Sequence, residues 1–298
     1  MIWFLEQLQL ASSGEQGPDS TAIPIPRIPD AEVSIDGHLD ESVWGQAASL
    51  RGFCQYLPVD GRPAEDSTTV LVFYAETSIY FGIRAYQDSS LVRATLADRD
   101  RITADDYVAI LLDTFNDQRQ AFLFAVNPLG VQSDGTLRDS PRRSLSYIST
   151  AESGAYTIDL SPDFVFASRG RLTAFGYEVE VRIPFKTLRY QTEEGQDWGI
   201  NVIRRVQQSG HEHTWTRVLQ ANASFLGQSG TLQGLSELRR GLVLDFNPEL
   251  TSTVNGGREQ TAWEYQGGRP EIGGNLRWGI TNNLTLNGTV NPDFAQIE

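Results

Sequence analysis

Between Asp105 and Gly135 the chain reads as two strands joined by a polar turn. Tyr107 to Leu112 is apolar at every position, as a strand covered on both faces must be, while Phe122, Phe124 and Val126 alternate with Ala121, Leu123 and Ala125. Asp113 to Arg119 supplies the turn. Asn127-Pro128-Leu129-Gly130 closes the second strand, because proline presets a turn φ and glycine tolerates the left-handed position that often follows. A second hairpin is predicted over Val70 to Tyr86, turning at Glu76-Thr77-Ser78, with Ile79, Phe81 and Ile83 toward a core and Tyr80, Arg84 and Tyr86 away from it. Ahead of it, Ile35 to Ala48 reads as a short strand that turns at Gly37 into a helical turn. Asp40 is its expected N-cap, Leu39, Val43 and Ala47 its apolar stripe, and Trp44 the plug of one end of the core. The pattern predicts an all-β, antiparallel β-sandwich.

Past Leu235 the alternation changes character. Ile272, Gly274, Leu276, Trp278 and Ile280 share one face, opposite Gly273, Asn275, Arg277 and Gly279. Leu284, Leu286, Gly288 and Val290 repeat the pattern after the turn Thr281-Asn282-Asn283, and Leu242, Leu244 and Phe246 begin an earlier strand. Apolar-out, polar-in strands with an interfacial tryptophan are the signature of transmembrane barrels, whereas no apolar run approaches the ~20 residues of a spanning helix. Three such strands cannot close a barrel, so they read either as the start of a truncated one or as a soluble appendage. The chain divides accordingly into an extended N-terminal segment over residues 1–23, a sandwich over 24–235 and the barrel start over 236–298. In the first of these, the apolar stretch interrupted by Glu6 and the small residues Ala11 to Ser13 read as a signal-peptide remnant.

Five blocks stand out along the chain: IDGHLDESVW (Ile35 to Trp44), VLVFYAETSIYFGIRA (Val70 to Ala85), the run from Asp105 to Gly135, GYEVEVRIPFKTLRY (Gly176 to Tyr190) and WGINVIRR (Trp198 to Arg205). Their content and order resemble family 9 carbohydrate-binding modules, in the version found at the front of outer-membrane barrel proteins of Gram-negative bacteria. Together they cover roughly residues 30 to 220, and the terminal VNPDFAQIE is similar to the family's first barrel segment. The resemblance implies a jelly-roll-like, exported sugar-binding sandwich at the cell envelope, with a poly- or oligosaccharide as partner. It further implies attachment to the outer membrane through the C-terminal strands, and it favours a structural calcium. The chain departs from the family's pattern in one respect: the tryptophan pair that would sandwich a sugar is not identifiable, and the segment after Gly135 is rich in Ser and Arg instead.

A sugar site needs aromatic faces for the apolar side of a pyranose and a polar rim for its hydroxyls. Tyr147 and Tyr156, beside Arg142 and Arg143, and Trp215 are the candidates. Asp105, Asp106, Asp113 and Asp117, with Asn116, offer hard oxygens of the kind calcium prefers, but their spacing matches no EF-hand, and turn formation accounts for most of them. Arg93, Arg99 and Arg101 lie among aspartates and read as a salt-bridged loop. His211-Glu212-His213 sets two imidazoles on one face of a strand, fewer ligands than a zinc site needs.

The remaining chemistry narrows the function by exclusion. Met1 is the only methionine, so a Met/His haem pair is unavailable, and no glycine loop cradles a nucleotide phosphate. No Gly-x-Ser-x-Gly or His-Glu-x-x-His motif is present, so a part in glycoside hydrolysis rests on association alone. A formal net charge of −14 argues against nucleic acid, and the single Cys54 excludes an intramolecular disulfide. Glycan binding at the cell envelope is the expected function. An accessory role in polysaccharide breakdown and a non-binding plug domain of the barrel are its alternatives.

Overall fold

The computed structural model describes residues 21–139, 156–191 and 195–241, and toward the C-terminus 243–252, 254–259, 262–267, 270–279 and 285–291. Up to Asp139 the strands are β1 (Ala22–Pro24), β2 (Ala48–Leu50), β3 (Cys54–Leu57), β4 (Thr68–Tyr74), β5 (Ser78–Tyr86), β6 (Tyr107–Asp113), β7 (Gln120–Val126) and β8 (Gln132–Asp139). They are followed by β9 (Tyr156–Asp159), β10 (Ala167–Thr173), β11 (Gly176–Pro184), β12 (Gln196–Val206), β13 (His211–Thr214) and β14 (Gly230–Leu235). The larger sheet runs β1-β14-β12-β6-β7-β8-β9, with β13 joining β12 to β3, and the smaller runs β10-β11-β5-β4-β2. Strand pairs within these sheets are antiparallel except β1 with β14.

The main core lies between the two inner faces. Val70, Val72, Phe81, Ile83, Val179 and Val181 of the smaller sheet meet Val108, Ile110, Leu112, Ile200, Val202 and Trp198 of the larger one. Strand β6 is buried at all 7 positions because its other face is covered as well. Tyr107, Ala109 and Leu111 pack there under Tyr56 of β3 and under Ile102 and Phe225 of the connecting segments. That second layer is the physical reason for the unbroken apolar run in the sequence. The turns at Asp113 to Arg119 and Asn127 to Gly130 fall where the pattern sets them, with Gly130 at φ 82° and its N–H donating to the Asn127 carbonyl at 2.9 Å.

The N-terminal segment differs from expectation. Asp40 caps nothing: the turn is a short 3-10 turn, Ser42–Gln46, entered from Glu41 without a side-chain cap. The Glu41 carboxylate instead accepts from the Ser34 N–H at 3.2 Å and the Trp44 indole N–H at 3.1 Å, which ties the segment to itself. Trp44 is buried on the outer face of the smaller sheet rather than at the sandwich end, packed edge-on to Phe73 at 5.2 Å with Leu39, Val43, Leu71 and Tyr80. Gly82 permits this. A Cβ there would lie 2.6 Å from Leu39 Cδ2 and 2.9 Å from Trp44 Cζ3, so only glycine lets the segment lie flat on β5.

Beyond the sandwich lie β15 (Val243–Thr251), β16 (Val254–Glu259), β17 (Ala262–Gly267), β18 (Glu271–Gly279) and β19 (Thr285–Val290). The order β15-β18-β19 makes a three-stranded sheet, and β16 pairs β17 as a hairpin that the glycine-rich, charged sequence did not announce. Register places Leu244, Trp278 and Leu286 in one row and Phe246 and Leu276 in the next, all exposed on one face. Asn275 on the other face donates to Glu249 at 2.8 Å. These strands form no closed barrel among the described residues. The turn Thr281-Asn282-Asn283 lies outside them.

Candidate functional site

Tyr147 and Arg142 lie outside the described residues. Tyr156 opens β9 opposite Asp139, and its side chain is likewise outside them. Trp215 corrects the expectation that it offers a face to sugar. It is 5% exposed within the main core, and it lies so close over Gly230 that a Cβ there would meet Cζ3 at 2.5 Å. A ring packed on both faces has none left for a pyranose.

The four aspartates do not converge. Asp105 and Asp106 precede β6 and Asp113 ends it, about 25 Å apart at some 3.3 Å per residue, so one calcium cannot bridge them. Each carboxylate instead accepts hydrogen bonds from the segments at its own end of the strand. Asp105 takes Thr95 N–H at 3.1 Å and the Asn127 amide at 2.9 Å, and Asp106 takes the Gln87 amide at 2.7 Å and Gln207 N–H at 2.6 Å. Asp113 takes Gln118 N–H at 2.7 Å, and Asp117 takes Arg119 N–H at 3.0 Å. Burial raises the Asp106 and Asp113 carboxyls above the usual aspartate range against the pull of these donors. Among the described residues, potential metal ligands instead gather at Asp100, Asp134 and Asp163. Arg99 occupies that group, bound to Asp134, 3.8 Å from Asp163 and donating to the Phe164 carbonyl at 2.7 Å. The salt-bridged reading of this arginine loop therefore holds at Arg99.

His211 and His213 do share one side of β13, with ring centroids 6.3 Å apart. His211 Nδ1 sits 3.2 Å from Glu65 Oε2, while His213 is fully buried and neither of its ring nitrogens has a hydrogen-bond partner. Burial, then the Arg204 guanidinium opposite, lowers His213 to about 4, so it is a neutral core residue at ordinary pH.

Among the described residues, a recess lies on the outer face of the smaller sheet, beside the N-terminal segment and over part of β4 and β5. It has a volume of about 410 Å³, with Leu39, Trp44 and Leu71 as its floor. Glu41, Ser49, Arg51 and Arg84 form its rim. Arg51 Nε donates to Ser49 Oγ at 2.9 Å, and the residue is exposed. Arg84 is anchored by Glu178 at 2.9 Å and by the Leu39 carbonyl at 3.0 Å, and Arg171 holds the other Glu178 oxygen at 2.6 Å. Glu180, one row further along, accepts from the N–H groups of Asp36 and Gly37 at 2.9 and 2.8 Å and so pins to the sheet the segment that leads into Leu39 and Glu41. Its carboxyl is fully buried with Oε1 unpartnered, and burial raises it to about 7. Only the outward direction of Arg84 was legible in the sequence. The recess arises from contact between segments far apart along the chain.

No protein-family model and no curated protein matches this sequence. A Bacteroides uniformis crystal structure named as a "putative carbohydrate-binding protein" superposes with a TM-score of 0.52 at 12% identity, covering 72% of this chain and 99% of that one. A family 9 carbohydrate-binding module of Caldicellulosiruptor kristjanssonii in complex with glucose gives a TM-score of 0.49 at 15% identity, over 73% of this chain and 98% of its own. The same module in complex with cellotriose gives 0.48 at 15% identity, over 71% and 95%. The chain is an all-β, antiparallel sandwich of the kind seen in the Bacteroides protein. At such identities the likeness is one of fold.

Proposed function

We propose that the sandwich is a carbohydrate-recognition module whose site is the recess on the outer face of the smaller sheet. The observation that carries this reading is the recess itself: forked guanidinium donors, a carboxylate and a hydroxyl gathered around the packed side chains of Leu39, Trp44 and Leu71. Sugars present hydroxyls that both donate and accept, and this polar rim matches them. The resemblance of the sequence blocks to family 9 modules, and a fold shared with a protein named for carbohydrate binding, support the ligand class. No acid and base pair is needed for this role, so binding without turnover is the expected behaviour.

The test is a glycan-array screen of the full chain beside a Ser49→Trp variant, which fills the recess from its rim. Saturable binding to one glycan class, lost in the variant, is expected. Binding that survives Ser49→Trp refutes the location, and an absence of binding by folded protein refutes the function.

A second part of the proposal concerns location. We infer that β15, β18 and β19 meet lipid, as the beginning of an outer-membrane barrel that tethers the sandwich to the cell envelope. The exposed apolar face of the three-stranded sheet supports this, with Phe246 65% and Ile272 75% exposed and polar residues confined to the opposite face. Sedimentation with liposomes, reduced in Phe246→Asp and Ile272→Asp, is the expected result, and equal sedimentation of the variants refutes it.

A further inference from the structure

The recess does not end at Arg84. Successive outward-facing positions of β5 are Gly82 under the recess, Arg84 at its rim and Tyr86 beyond it, spaced by roughly 7 Å along the strand. Tyr86 is 37% exposed, and its ring lies 5.0 Å from that of Phe175, which is 38% exposed. Both are among the exposed large hydrophobic side chains of the sandwich. They share one open ledge.

The turn between β10 and β11 fixes this ledge. Gly176, paired with Tyr86, has φ 135°, and a Cβ on it would lie 2.1 Å from the Ala85 carbonyl, so the turn can press against β5 only with glycine there. The Phe175 carbonyl then accepts from Gln87 N–H at 2.9 Å, which holds the phenyl ring over Tyr86. Between recess and ledge runs the row Arg84, Glu178 and Arg171, in register across β5, β11 and β10. Both Glu178 oxygens are taken by these arginines, so the hydrogen-bonding capacity facing outward along the row is mostly donor.

We infer that the Tyr86–Phe175 ledge is a second, stacking subsite of this face, so that the ligand is an oligosaccharide spanning from the recess across the arginine row rather than a single sugar. The inference rests on the recess being the carbohydrate site. A sugar ring lies flat on an aromatic face through its axial C–H groups, while the next residue reaches donors one row away. Tyr86 keeps its hydroxyl for the polar edge of the same ring.

The experiment is calorimetric titration of the full chain with gluco-, xylo-, manno- and galacturono-oligosaccharides of one, three and six units. It is repeated with Tyr86→Ser and Phe175→Ser. Each ring is more than a third exposed, so neither change opens the core, and urea midpoints confirm the folded state. For one sugar class, affinity is expected to rise about tenfold from one unit to six, the worth of one well-stacked ring. Both variants should abolish that rise and leave binding of the single unit unchanged. Length-independent binding, or a rise that survives both substitutions, overturns the ledge while leaving the recess as the site. No binding at any length by folded protein overturns both.

Discussion

Replacing Glu180 with glutamine separates the charge of this buried carboxyl from its hydrogen bonds. The carboxyl is raised to about 7 from an ordinary 4.5 by burial, while Asp36 and Gly37 N–H groups pull the other way. The folded state therefore holds a proton that the unfolded chain releases between pH 4.5 and 7, and this part of the stability is present below 4.5 and lost as pH rises through 7. At about 1.4 kcal/mol per tenfold change in proton affinity, the buried charge costs about 3 kcal/mol at pH 8. Glutamine keeps an acceptor for both N–H groups and carries no charge. The stability of Glu180→Gln relative to wild type, from urea unfolding at pH 5, 6, 7 and 8, is thus expected to rise by about 3 kcal/mol across the series. Because every other titrating group is common to both proteins, the difference reports this carboxyl alone. A difference that stays constant with pH refutes the claim that burial raises this carboxyl. In Glu180→Ala the two N–H groups lose their acceptor, and faster proteolysis near Gly37 is expected.

Other substitutions probe the rest of the architecture. Gly82→Ala forces Leu39 and Trp44 off the sheet and is expected to cost roughly 1–3 kcal/mol, with a red-shifted tryptophan emission; an unshifted spectrum would contradict the packing described. Trp215→Ala should lower stability by roughly 3–5 kcal/mol in urea titrations, as loss of a core ring does, and a change in sugar binding without destabilisation would place this side chain at the surface after all. His213, lowered to about 4 from 6.5, binds its proton more weakly when folded, so stability falls as pH drops from 6.5 toward 4, by about 3 kcal/mol. His213→Leu should flatten this acid limb, and an unchanged pH profile would show that the ring is protonated in the fold. Chelator and added calcium are expected to leave the melting temperature unchanged, since Arg99 already neutralises the acidic group around Asp134; a calcium-dependent rise would show that an ion competes with it.

The hairpins β4–β5 and β6–β7 and the turns that close them were readable from the chain, because side-chain period and turn chemistry act over neighbouring residues. The same local physics gave the one-sided apolar pattern of β15, β18 and β19. It failed at β16 and β17, where Val254 to Glu259 carries glycine and charge in place of alternation, and at Asp40, where the Glu41 carboxylate was drawn to Ser34 and Trp44 instead. What lies across space was invisible. Trp215 stands between two threonines and Trp44 between valine and glycine, and only packing shows that the first fills the main core while the second is buried on the outer face of the smaller sheet. The aspartates around β6 looked like a cluster in sequence, yet an extended strand carries its ends far apart, which is why they serve separate loops. The sequence by itself determined an antiparallel all-β chain with its strands in order. The tertiary structure decided which face of the smaller sheet is covered, because that depends on Gly82 meeting Leu39 and Trp44 and on Glu180 meeting Gly37 across 143 residues of chain.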